Sequence, residues 1–168
     1  MPGQHGPIRT VAFSPDGRRL AAASRDTRVK LWTVSATNLP TELRGHAGDV
    51  CTVAFSPHGR QFASADNQRT IIVWNANHGT EAFRLTGHGA MIQAVTFSRD
   101  GRLLASASAD GTVKLWHLEL RQEVMTLRAH SGEVKCLAFS PDGNTLASSG
   151  ADGNVRLWRA SHSALRSR

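Results

Sequence analysis

Serine, histidine and aspartate recur together along these 168 residues, and that trio is the working set of a hydrolase. Nucleophilic catalysis needs a base hydrogen-bonded to the hydroxyl and an acid that orients the base from behind. Yet the trio returns beside a tryptophan every 42 residues, and one enzyme does not need several copies of its triad. A tryptophan N–H removed from water needs an acceptor chain, which makes the trio a structural device. No Gly-x-Ser-x-Gly elbow and no phosphate-cradling glycine loop is present. The residues therefore point to a non-enzymatic protein with no cofactor. The chain has eight histidines, which raises metal binding. His58, His78, His117 and His162 lie at turns or just beyond a strand, without i, i+4 or Cys-x-x-Cys spacing, and read as solvated loop residues.

The elements that must hold these side chains follow from the repeat. Trp32, Trp74, Trp116 and Trp158 are spaced by 42 residues, as are Phe13, Phe55, Phe97 and Phe139, and Gly17, Gly59, Gly101 and Gly143. Columns in register over the whole chain mark one array, residues 1–168, with repeats near 5–45, 46–87, 88–129 and 130–168. Segments 8–13, 50–55, 92–97 and 134–139 alternate bulky residues (Val11/Phe13, Val53/Phe55, Val95/Phe97, Leu137/Phe139) with small ones (Thr10/Ala12, Thr52/Ala54, Ala94/Thr96, Cys136/Ala138). Both faces suit burial, as a sheet sandwiched between two others requires. Ser-Pro-Asp-Gly turns follow, then a second strand near 19–24, 61–65, 103–108 and 145–149. Asp110-Gly111 and Asp152-Gly153 signal a second hairpin into the tryptophan strand. A more variable fourth strand is expected near 39–43, 81–85 and 122–127. Helical periodicity is absent, so the class is all-β.

With Gly45-His46, Gly87-His88 and Ala129-His130 before the first strand, and the run LLASASADGTVKLW at 103–116, the chain resembles the WD-repeat (WD40) β-propeller family over its full length. The resemblance implies four-stranded antiparallel blades arranged radially, and a role as a scaffold for protein–protein interaction. It also implies a His–Ser–Asp–Trp hydrogen-bond network in each blade. By position the third repeat has His88, Ser108, Asp110 and Trp116. The first has His5, Ser24, Asp26 and Trp32, with His5 one residue closer to its strand than usual. The fourth has His130, Asp152 and Trp158, with Gly150 in place of the serine. The second keeps His46 and Trp74 but has Asp66 at the serine position and Gln68 at the aspartate position, so it should be the least rigid.

Net charge is +7, from 17 Arg and 3 Lys against 13 acidic residues. The basic residues are scattered, with no run longer than Arg18-Arg19, which argues against the stripe that nucleic acid needs. No apolar run approaches the ~20 residues of a bilayer span, and MPGQHGPIRT lacks the pattern of a signal peptide. The expected compartment is cytoplasmic. Cys51 and Cys136 fall on opposite strand faces two repeats apart, and are expected to be free thiols.

In the family that the chain resembles, partners touch residues three and five positions after the blade histidine and the turn between the second and third strands. Those positions are Asp49 and Cys51, Met91 and Gln93, and Glu133 and Lys135, with Pro7 and Arg9 supplied in the first repeat by register with the phenylalanine column, and Arg25, Asn67, Ala109 and Ala151 in the turns. They differ in chemistry while the framework repeats, which is where specificity for other proteins or peptides can reside. Met91 is the apolar, adaptable member of the set. Four blades should make about half a ring, which leaves three resolutions: self-association of two chains through the open ends, a fragment of a larger multi-repeat regulatory or signalling protein, or a strained closed ring of four.

Overall fold

A computed structural model describes residues 6–36 and 39–159, and every element in it is a strand. The first sheet holds β1 (Ile8–Phe13), β2 (Arg19–Ser24), β3 (Arg28–Thr33) and β4 (Thr41–Arg44). The second holds β5 (Val50–Phe55), β6 (Gln61–Asp66), β7 (Thr70–Asn75) and β8 (Thr80–Thr86). The third holds β9 (Ile92–Phe97), β10 (Leu103–Ser108), β11 (Thr112–His117) and β12 (Gln122–Arg128). The fourth holds β13 (Val134–Phe139), β14 (Thr145–Gly150) and β15 (Val155–Arg159). Each sheet is an antiparallel meander in chain order. His5 lies outside the described residues.

Local chemistry sets the hairpins. In the first turn of each sheet a glycine takes a left-handed conformation, as at Gly17 (φ 68°) and Gly143 (φ 79°), and the chain folds back there. The serine that opens the turn then accepts from the second strand, with Arg19 N–H donating to Ser14 Oγ at 2.9 Å. The second turn needs positive φ too. Gly111 and Gly153 supply it in the last two sheets, but Thr27 (φ 65°) and Arg69 (φ 69°) adopt it at the equivalent positions in the first two.

The sheets stack in one sense. The bulky face of each packs on the small face of the one before it: Val53, Phe62 and Trp74 on Ala21, Ala23 and Val29, then Val95, Phe97 and Trp116 on Ala63, Ala65 and Ile71. In the third junction Leu137, Phe139 and Trp158 meet Ala94, Ala105 and Val113. Small residues on one side let the indoles of the other approach, so each junction is dry and interlocked. The result is an open four-blade β-propeller, with the first strand of each blade innermost. The strained closed ring is thereby excluded: the outer faces of blades one and four do not meet, and Val11 and Val155 are 59% and 70% exposed.

Candidate functional site

Blades two, three and four are each pinned by a chain of hydrogen bonds that runs through a buried serine and histidine. In the third, Trp116 Nε1–H donates to Ser106 Oγ (2.8 Å), Ser106 Oγ lies 2.7 Å from His88 Nε2, and His88 Nδ1 lies 2.9 Å from Asp110 Oδ2. In the fourth, Trp158, Ser148, His130 and Asp152 repeat it at 3.0, 2.9 and 2.8 Å. A carboxylate only accepts, so His88 must present Nδ1–H to Asp110. Its Nε2 is then an acceptor for the serine O–H, and the serine accepts from the indole in turn. Every proton points the same way, from tryptophan to aspartate. Burial pushes the His88 pKa below its ordinary value, which favours this neutral ring. The Asp110 pKa is lowered as well, but by a different cause. Burial alone would raise its pKa, but donation from Thr112, Gly89 and His88 outweighs burial and holds it at about 2.

The serine of the network is not the one expected. Ser106 and Ser148 are the residues joined to histidine and tryptophan, two positions earlier than Ser108 and Gly150. Ser108 instead donates to the Ala90 carbonyl, and Ser24 to that of Gly6. The fourth blade therefore lacks nothing, and Gly150 has a different use: a Cβ there would stand 2.5 Å from His130 Cγ. The second blade is also complete, which removes the reason for expecting it to be least rigid. Trp74 donates to Ser64 (2.8 Å), Ser64 meets His46 (2.7 Å), and Asp66 takes the aspartate role from within β6, 2.7 Å from His46 Nδ1. Asp66 and His46 side chains are both essentially fully buried. The departure falls in the first blade, where Ala22 occupies the serine position and buried Lys30 lies 3.7 Å from Asp26 and 3.9 Å from Glu42.

The three Ser–His–Asp sets have triad distances but no triad access. Ser64, Ser106 and Ser148 are 0%, 0% and 1% exposed, and each hydroxyl oxygen already accepts from an indole. A substrate carbonyl cannot reach them. Their effect is to fix the loop that carries each histidine, and with it the residues three and five positions on.

Those residues share one end of the blades. The turn residue in each blade donates its backbone N–H to the carbonyl of the residue three after the histidine position: Arg25 to Pro7 (3.2 Å), Asn67 to Asp49 (3.0 Å), Ala109 to Met91 (2.9 Å) and Ala151 to Glu133 (2.8 Å). The residue two further on falls in every case at a slip in the strand register, at Arg9, Cys51, Gln93 and Lys135. A β-bulge re-aims one side chain out of the alternation. Period-two reasoning could not show this. Across blades, Gln93 Nε2 donates to Glu133 (2.8 Å), and Lys135 pairs with the same carboxylate. Pro7, Arg9, Arg25 and Lys135 are exposed, whereas Asp49, Asn67, Met91, Gln93 and Glu133 are half-buried. Cys51 departs from expectation. It is buried, its thiol pKa is pushed up by that burial, and it offers no surface to a partner. Cys136 is exposed, and neither cysteine is in a disulfide.

The repeated pinning network on a radial array decides the family. The family described as WD domain, G-beta repeat, matches residues 1–33, 37–75, 79–117 and 121–159. This chain belongs to the WD40 family. A search of curated proteins returns no match. WD40 repeats generally act as protein-interaction scaffolds and are typically non-enzymatic. Among the described residues, no three metal-ligating side chains gather into a possible ion site, and no helix is long and apolar enough to cross a membrane.

Proposed function

We propose that this WD40 array is a non-enzymatic scaffold that binds other proteins or peptides through the bulged end of its blades. The observation that carries this reading is the set of four equivalent backbone pairs that hold Pro7/Arg25, Asp49/Asn67, Met91/Ala109 and Glu133/Ala151 at one end. A rigid frame repeats beneath them while the chemistry differs from blade to blade: two arginines in the first, an aspartate in the second, an apolar thioether in the third, and a carboxylate with an ammonium in the fourth. A partner that spans the blades meets opposite charges at fixed spacing, which gives selectivity more than bulk affinity.

Affinity capture from the native source tests the reading. Arg9→Glu combined with Arg25→Glu replaces two exposed cations by anions at the first blade, and should abolish capture of a partner that the unaltered chain retains. Met91→Asp should weaken it. Circular dichroism of both variants should match the parent. A captured set indifferent to all three substitutions refutes the rim as the binding surface.

A further inference from the structure

Arginines that the sequence scatters are gathered by the fold at one end of the blades. Arg18, Arg60 and Arg102 stand 42 residues apart, each directly after the glycine of its blade's first turn, at the end opposite the bulged rim. Those turns share one shape, with Gly17, Gly59 and Gly101 at φ 68°, 67° and 70°. Each arginine is held by its backbone, whose carbonyl accepts from the N–H of Val34, Ala76 or Leu118 at 2.8, 2.9 and 3.0 Å. Neighbouring turns also touch, since a Cβ on Gly59 would stand 3.5 Å from Pro15 and one on Gly101 3.5 Å from Pro57. The three side chains are exposed, and among the described residues their guanidinium groups take part in no hydrogen bond or salt bridge. Asp16 and Asp100 offset part of the charge in the outer two turns, though each already accepts from the serine hydroxyl and arginine N–H of its own turn. In blade two His58 takes that acidic position, so Arg60, the middle cation, has no carboxylate in its turn.

We propose that this arc of guanidiniums binds the phosphate backbone of a single-stranded nucleic acid, without regard to base sequence. Packed sheets lie about 10 Å apart, so three blades set the cations over about 20 Å. A nucleic-acid strand carries one charge per nucleotide and presents a phosphate to each arginine in any register. An acidic peptide would instead have to match its carboxylates to that spacing. The flat fork of an arginine also suits phosphate oxygens, which it meets with two parallel hydrogen bonds. Reading base edges needs a helix or a β-ribbon in a groove, and tight turns supply neither. A flexible strand follows an arc that a stiff duplex would leave. The site uses neither terminal face of the array, and it lies at the far end from the rim proposed to bind proteins.

Fluorescence anisotropy of a labelled oligothymidylate titrated with the whole chain tests this. Three phosphate contacts on a single strand give a salt slope of about −2, so affinity should fall about twenty-fold between about 50 and 200 mM salt. Arg18→Gln, Arg60→Gln and Arg102→Gln should each reduce that fall to about seven-fold. Asn144 is the exposed residue at the equivalent position of blade four. Asn144→Arg lengthens the arc, should tighten binding, and should raise the fall to about fifty-fold. Arg44→Gln removes an exposed arginine from the rim end and should leave the slope unchanged. Circular dichroism of all five variants should match the parent. No binding at about 50 mM salt, a slope unmoved by the three turn substitutions, an equal loss for Arg44→Gln, or no gain from Asn144→Arg would each overturn the proposal. Tighter binding to polyglutamate or to phosphatidylserine vesicles than to the oligonucleotide would overturn it as well. None of these variants alters a residue substituted for partner capture, so failure of the rim and failure of the arc are read separately.

Discussion

Replacing Ser106 by alanine removes one hydroxyl and strands two buried ring nitrogens. Trp116 Nε1–H loses its acceptor at 2.8 Å and His88 Nε2 its donor at 2.7 Å. The rings lie edge-on with centroids 6.1 Å apart, so the two nitrogens cannot meet without rearrangement. Each stranded group costs about 1–3 kcal/mol, and the pair about 3 kcal/mol in all. For a chain of this length that lowers the melting temperature by about 6–12 °C. Ser108→Ala serves as the comparison. Ser108 is equally buried and also makes two bonds, to Ala90 and Asp110, but those residues are half-buried and water can replace the lost partner. Its cost should stay near about 1 kcal/mol. Thermal and urea unfolding followed by tryptophan fluorescence gives both values. If Ser108→Ala costs as much as Ser106→Ala, the one-way chain of protons is not what pins the blade.

Two further outcomes follow from the backbone and from the titrating groups. Thr27→Gly and Arg69→Gly relieve left-handed residues that cost about 1–2 kcal/mol each, against about 0.5–1 kcal/mol lost to glycine's freedom in the unfolded chain. Each should raise the urea midpoint slightly, Thr27→Gly more because its side chain is β-branched. Stability should also depend on acid. His88 titrates below its ordinary 6.5 in the folded chain, so its contribution is complete above about pH 6.5 and declines as pH falls through the lowered value. Asp110 and Asp152, both held at about 2 against an ordinary 3.8, add a second decline from about pH 4 downward. Melting temperatures should be level near neutrality and fall in two stages, and Asp110→Asn should reduce the second.

The strands were legible because their signals are local and repeated. The four inner strands run at 8–13, 50–55, 92–97 and 134–139, where alternation of Val-x-Phe with small residues places them. The network was legible in kind but not in detail. In β10 both Ser106 and Ser108 lie on one face, and a period of two cannot choose between them. The choice is made by cross-strand register: Trp116 pairs with Leu104, so its indole leans over Ser106. One signal was available, since Ser64, Ser106 and Ser148 stand 42 residues apart and ten before each tryptophan, whereas Ser24, Asp66, Ser108 and Gly150 do not keep one residue type. Asp66 could not be read in this way, because it reaches His46 from a different backbone position than Asp110 reaches His88. The bulges at Arg9, Cys51, Gln93 and Lys135 were also hidden, since they depend on how neighbouring strands slip past one another.

Because every junction mates the same two kinds of surface in the same direction, length is a free variable of this architecture. A further 42-residue unit inserted between any two blades would find both its neighbours already shaped for it, and deletion of an inner unit would rejoin surfaces that fit. Duplication can thus extend or shorten such a chain without redesigning a single contact, and only the two terminal surfaces register the change.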